Sequence, residues 1–124
     1  CMAPKKDVTR PVGKWNTARI LCKNTVIEHW LNGERVLSFD YTAAKWAEYV
    51  KLLGIRGGNL TGRNGKLWLQ DHGQDVWFRN LRMRVIPDKE TITPDPDFVP
   101  MAVTGRALEK EQARVKKMLK PIKK

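Results

Sequence analysis

The chain has 124 residues, the size of one domain rather than two. Hydrophobic residues make up 41% and charged residues 30%, a balance that excludes wholesale disorder. Apolar runs are only a few residues long, so no membrane span is expected, and the start Cys1-Met2-Ala3-Pro4-Lys5-Lys6 lacks the apolar segment of a signal peptide. A leading Cys reads as a processed or truncated start.

Charge is concentrated at one end. Lys and Arg total 24 against 13 Asp and Glu, a formal net charge of +11. Residues 105–124 hold 8 basic and 2 acidic residues. Such a tail attracts nucleic acid, an anionic membrane surface or an acidic protein, or is simply a solvated terminus. No helix-turn-helix, zinc finger or aromatic–basic RNA motif accompanies it, so nucleic acid is not favoured. Two cysteines, Cys1 and Cys22, make no disulfide framework and no metal-ligand spacing. Cys22 ends the apolar run Ala18-Arg19-Ile20-Leu21-Cys22 and is expected as a buried free thiol.

Residues 15–22 and 25–31 read as strands, separated by a short polar break. Asn32-Gly33 is a hairpin turn signal, because both central positions of a type I′ turn take positive φ. Residues 35–39 return as a third strand, completing an antiparallel meander. Ala43, Trp46, Val50 and Leu53 then recur at helical spacing, predicting a helix over 42–53 with Gly54 as its stop. Residues 54–65 form a glycine-rich loop without the context of a phosphate-binding loop. Strand character resumes at 66–70 and again at 76–86, where Pro87 ends it. Four of the seven prolines fall within 87–100. Residues 88–104 read as an extended linker and 105–124 as a basic helical tail, with Leu108, Val115 and Leu119 on one thin apolar stripe. The body is therefore mainly β, with about five strands and one short helix. That is too few strands for a complete two-sheet sandwich.

Four strings stand out in this order: Trp15-Asn16-Thr17-Ala18-Arg19-Ile20; Ile27-Glu28-His29-Trp30-Leu31-Asn32-Gly33; Leu69-Gln70-Asp71-His72-Gly73; and Val76-Trp77-Phe78-Arg79-Asn80-Leu81-Arg82. Together they resemble the 3-keto-disaccharide hydrolase family over roughly residues 3–87. The resemblance implies a concanavalin A-like jelly roll, of which residues 1–87 would be the C-terminal half. The partner would then be the missing N-terminal half or a second copy, besides a carbohydrate substrate. It also suggests a periplasmic or extracellular location.

The chemistry implied is cleavage of sugars oxidised to a ketone at C3. The ketone acidifies the C2 hydrogen, a base removes it, the C1 substituent leaves by β-elimination, and water adds back. This needs a base, a group that polarises the ketone and an acid for the leaving oxygen. His72 is the first candidate, since imidazole serves as base or acid near neutrality; a turn histidine before Gly73 is the other reading. Asp71 is a catalytic candidate or a turn-capping carboxylate. Glu28 is the third catalytic candidate; it shares a face with Trp30, and a carboxylate beside an indole suits a sugar site, with an ordinary surface carboxylate as the other reading. His29 falls in the opposite, apolar row. His29, Trp30, Gln70 and Arg19 are the substrate-binding candidates, and Arg19 is also placed to make a salt bridge. No metal and no cofactor is invoked. The alternative function is a non-catalytic carbohydrate-binding module on the same scaffold.

Overall fold

The computed structural model describes residues 2–62, 65–71 and 73–119. Its centre is a three-stranded antiparallel sheet in the order β1-β2-β3, with β1 Ala18–Lys23, β2 Val26–Leu31 and β3 Glu34–Asp40. A 3₁₀ turn at Ala44–Trp46 leads into α1 at Ala47–Ile55, and α2 follows at Gly105–Met118. Among the described residues no helix is long and apolar enough to cross a membrane.

Both hairpins form where the sequence indicates. Asn32 and Gly33 take φ 52° and 86°, the left-handed pair a type I′ turn requires. The Asn32 side chain also fixes the chain before β1. Its Oδ1 accepts from the Thr17 N–H at 2.9 Å, and its amide donates to Val8 O and Asn16 Oδ1. Between β1 and β2, Asn24 supplies the positive φ of a second tight turn.

The β2–β3 register carries one irregularity. His29 pairs with Leu37 but Trp30 pairs with Arg35, leaving Val36 as the extra residue of a bulge. A bulge shifts the two-residue alternation by one position. Arg35 therefore shares a face with Trp30, while Leu37 and Phe39 share the other with Ile27 and His29.

On that second face sits the apolar core: Leu37, Trp46 and Phe98, with Met2, Ile27, Phe39 and Ala43 packed against them. Trp46 is its hub, with ring centroids 5.6 Å from Phe98 and 6.3 Å from Phe39. Phe98 is 2% exposed, so the proline-rich stretch read as a linker contributes a core side chain. This strap is tied down by Met101 N–H to Pro4 O at 2.9 Å and Lys45 Nζ to Pro96 O at 3.0 Å.

The helix after β3 differs from expectation at its end. Gly54 lies inside α1, and the stop is Gly57, three residues further on. Gly57 takes φ 82°, its N–H donates to Gly54 O, and the Gly58 N–H reaches back to Leu53 O. This pair of bonds is a Schellman motif, which uses a left-handed glycine just past the last helical turn.

Residues 66–70 and 76–86, expected as strands, join no sheet among the described residues. They take no regular secondary structure, and their large side chains are open: Trp68 is 84% and Trp77 72% exposed. Asn80 at φ 55° breaks the alternation of the second segment. Period two in a sequence reports alternation, whereas a ladder needs a neighbouring edge to bond to. The second segment is held beside β1 by side chains instead. Arg79 stacks on Trp15 at 3.9 Å, and the Lys23 ammonium donates to the carbonyls of Pro87, Asp88 and Glu90. Cys22, expected buried, is an exposed free thiol, and it is not among the residues packed on the core of Leu37, Trp46 and Phe98.

Candidate functional site

The sheet face opposite the apolar core carries a polar cluster. Glu28 lies on β2 and is 3% exposed, a burial that a carboxylate tolerates only with partners. It has three. Trp30 Nε1 donates to its Oε2 at 2.9 Å. Arg35 Nη1 donates to Oε1 at 3.0 Å, and Ser38 Oγ lies 3.4 Å from the same oxygen. Each partner arrives by register: Trp30 two residues along the strand, Arg35 across from Trp30, and Ser38 across from Glu28.

Arg35 is shared. Its second terminal nitrogen lies 3.3 Å from Asp95 Oδ2, and Lys5 Nζ is 3.6 Å from the same atom. The Asp95 N–H donates to Ser38 Oγ at 2.8 Å, closing a ring through Glu28, Arg35, Asp95 and Ser38. Desolvation pushes the Asp95 carboxyl up. The Asp97 N–H and the charges of Lys5 and Arg35 outweigh it and bring it below the usual carboxylate range. On the outer side Arg19, across from Trp30 on β1, places its guanidinium 4.5 Å from the indole centroid. Arg35 stands 5.9 Å from the same ring. Trp30 is thus flanked by two cations and bonded to a carboxylate.

A carboxylate offers about four lone-pair sites. Three donors on Glu28 leave it one, on Oε2, so its main capacity is to hold Trp30 and Arg35 in place. Arg19 is the exposed donor of the cluster, with its guanidinium backed by the indole.

The other candidates fall elsewhere. His29 is on the apolar-core face, between Ile20 and Leu37. Its imidazole is held below its ordinary value by desolvation. Asp71 Oδ1 accepts the Gly73 N–H at 2.9 Å, a turn-closing bond. Gln70 is exposed in the 66–70 segment, which joins no sheet among the described residues. His72 lies outside the described residues. The structure therefore unites Glu28, Trp30 and Arg19 and sets His29 and Asp71 apart from them. Among the described residues no group of three or more His, Cys, Asp or Glu is placed to hold a metal.

A profile described as a 3-keto-alpha-glucoside-1,2-lyase-like domain matches residues 1–84. The chain belongs to this family. A 3-keto-disaccharide hydrolase of Bacteroides thetaiotaomicron is 32% identical over 91 residues, covering 62% of this chain and 31% of the relative. The chain therefore spans about a third of the length of the curated relative it matches. No solved structure matches it. Within the 3-keto-alpha-glucoside-1,2-lyase-like domain lie Arg19, Glu28, Trp30, Arg35 and Ser38, whereas Asp95 and α2 come after the matched residues.

Arg35, Ser38 and Asp95 were not among the sequence candidates. Arg35 was within reach: a two-residue turn at Asn32-Gly33 sets Trp30 opposite residue 35. Ser38 was not, because its place depends on the bulge. Asp95 sits 57 residues beyond Ser38, with no local pattern linking them.

Proposed function

We propose that this chain is the carbohydrate-handling part of an enzyme that cleaves 3-keto glycosides. The observation that carries the proposal is family membership combined with the Arg19–Trp30–Glu28–Arg35 cluster. Indole and guanidinium planes suit a sugar, because the apolar ring face stacks while hydroxyls and carbonyls take N–H donors. In this reading Arg19 donates to the 3-keto oxygen or a neighbouring hydroxyl. Trp30 backs it, and Glu28 and Arg35 hold Trp30. His72 removes the C2 proton, and the electron pair moves onto the ketone oxygen as an enolate. The enolate then collapses to expel the C1 substituent, whose oxygen takes a proton. Water adds at C1 and a proton returns to C2, so the net change is hydrolysis. Glu28 and Asp71 remain candidates for proton transfer, and Gln70 and His29 for contacts to substrate.

Abstraction at C2 can be read without full turnover. The chain is incubated with a 3-keto disaccharide in D₂O, and loss of the C2 proton signal is followed by NMR. Exchange that His72→Ala abolishes supports the proposal. Binding without any exchange or cleavage would point to the non-catalytic carbohydrate-binding module instead. Exchange that persists in His72→Ala would remove His72 as the base.

A further inference from the structure

Helix α2 carries two unlike faces. Leu108, Val115 and Leu119 line a groove shared with Glu48 and Leu52 of α1, and Glu111 meets Arg56 there at 2.7 Å. Roughly opposite, at 100° per residue, Arg106, Lys110, Arg114 and Lys117 fall within an arc of about 80°. All four are exposed, and none forms an ion pair among the described residues. Successive members stand three or four residues apart. They make a straight row about 16 Å long at 1.5 Å per residue, with charges spaced about 5–6 Å. Glu109 lies on the flank of this row, and Lys116 borders the groove. The row also lies wholly beyond the residues matched by the family profile.

The shape of the row selects among anionic partners. A helix that lies in a membrane interface inserts its apolar face. Here that face is a thin stripe of Leu108, Val115 and Leu119 along the α1 groove, without the aromatic residues or breadth of an inserting face, although Leu108 is 39% and Leu119 58% exposed. Single-stranded nucleic acid binding relies on aromatic stacking as well as charge, and no aromatic residue occurs between Gly105 and Met118. What remains is a linear polyanion met by charge alone. We propose that the Arg106–Lys110–Arg114–Lys117 row docks an anionic polysaccharide, a polyuronate or sulfated glycan. The choice of a glycan over other linear polyanions rests on the carbohydrate reading above; the row itself does not.

Affinity electrophoresis in gels containing polygalacturonate tests this on the whole chain, with neutral dextran gels as the control. Retardation is expected in polygalacturonate only, and it should disappear between about 50 and 200 mM salt, as charge-driven polyanion binding does. Replacing all four residues by Gln should reduce the apparent affinity at least about tenfold at low salt. Gln is a good helix former, so α2 should persist, and circular dichroism checks that it does. Glu109→Gln changes the same helix without touching the row and should leave retardation intact or stronger. Equal retardation of the four-Gln variant overturns the proposal. So does tighter binding, at the same salt, to a 20-base-pair DNA duplex or to phosphatidylserine vesicles. Polygalacturonate binding without C2 proton exchange on 3-keto disaccharides would defeat the catalytic proposal and leave this one standing; the reverse result would do the opposite.

Discussion

Ser38 faces Glu28 across the β2–β3 pair only because Val36 is an extra residue. With regular alternation from the Asn32-Gly33 turn, Leu37 would oppose Glu28 and Ser38 would turn toward the apolar core. The bulge thus sorts both faces at once: it sends Leu37 into the core and Ser38 to the carboxylate. Deleting Val36 should keep the Trp30–Arg35, His29–Leu37 and Glu28–Ser38 pairs and lose the buried valine, about 2 kcal/mol, together with the Lys5 N–H bond to its carbonyl. Deleting Leu37 instead should let Val36 take its place opposite His29, with the Glu28–Ser38 pair kept and a smaller side chain in the core. Inserting one further residue after Val36 should send Ser38 toward the core and cost far more in urea unfolding than either deletion. A scrambled register by NMR in the Val36 deletion would reject the bulge as the sorting element.

Arg35 bridges two carboxylates, one of them buried. Arg35→Met keeps most of the volume but leaves Glu28 without its cation, at a cost of about 3–5 kcal/mol. The double variant Arg35→Met with Glu28→Gln should recover at least half of that loss. If the single variant is as stable as the parent in urea, the ion pair contributes nothing to the fold.

Phe98 closes the core over Trp46 from a segment some fifty residues away in sequence. Phe98→Ala should cost about 3–5 kcal/mol, the range for emptying a buried aromatic site. Trp46 becomes wetter, so tryptophan emission should shift to the red under native conditions. An unshifted spectrum together with an unchanged urea midpoint would mean that the strap is not needed for the core.

Asp95 makes the strap sensitive to acid. Its folded carboxyl lies below the ordinary value. Its contribution is therefore fully present above the unfolded-chain value near 3.9 and is lost as pH falls through the folded value. Protection of the Asp95 and Phe98 amides, measured against their intrinsic exchange, should fall below about pH 4. In Asp95→Asn that part of the pH dependence should vanish. An identical acid profile in the variant would rule Asp95 out as the titrating group.

His29 titrates in the opposite environment. Desolvation lowers its imidazole below the ordinary value, so the neutral ring is favoured in the folded chain and stability falls as pH drops through that lowered value. With only two histidines present, His72→Ala assigns the His29 ring signals by difference. The side chain is exposed, so a midpoint at or above about 6.5 would mean that its neighbours on that face do not desolvate the ring.

The sheet was legible because each strand carries alternation bounded by a turn residue, and because Asn32-Gly33 admits one kind of turn. Glu28 and Trp30 could be placed on one face for the same reason. The bulge could not be read, since Val36 is as good a strand residue as its neighbours. The end of α1 was misplaced because Gly54 and Gly57 are equally permissive; the Schellman bonds decide between them. Residues 66–70 and 76–86 show the converse limit. Their composition is that of strands, but composition says nothing about whether an edge is there to receive them.

Phe98 and Asp95 lie beyond residue 84, where the family match ends. Yet one fills the space between Leu37 and Trp46, and the other neutralises Arg35. Cutting the chain at the end of the match would therefore open its centre to water and remove one of the two anions of Arg35. The unit that is homologous is shorter than the unit that folds, and any expression boundary for this sheet belongs after Met101.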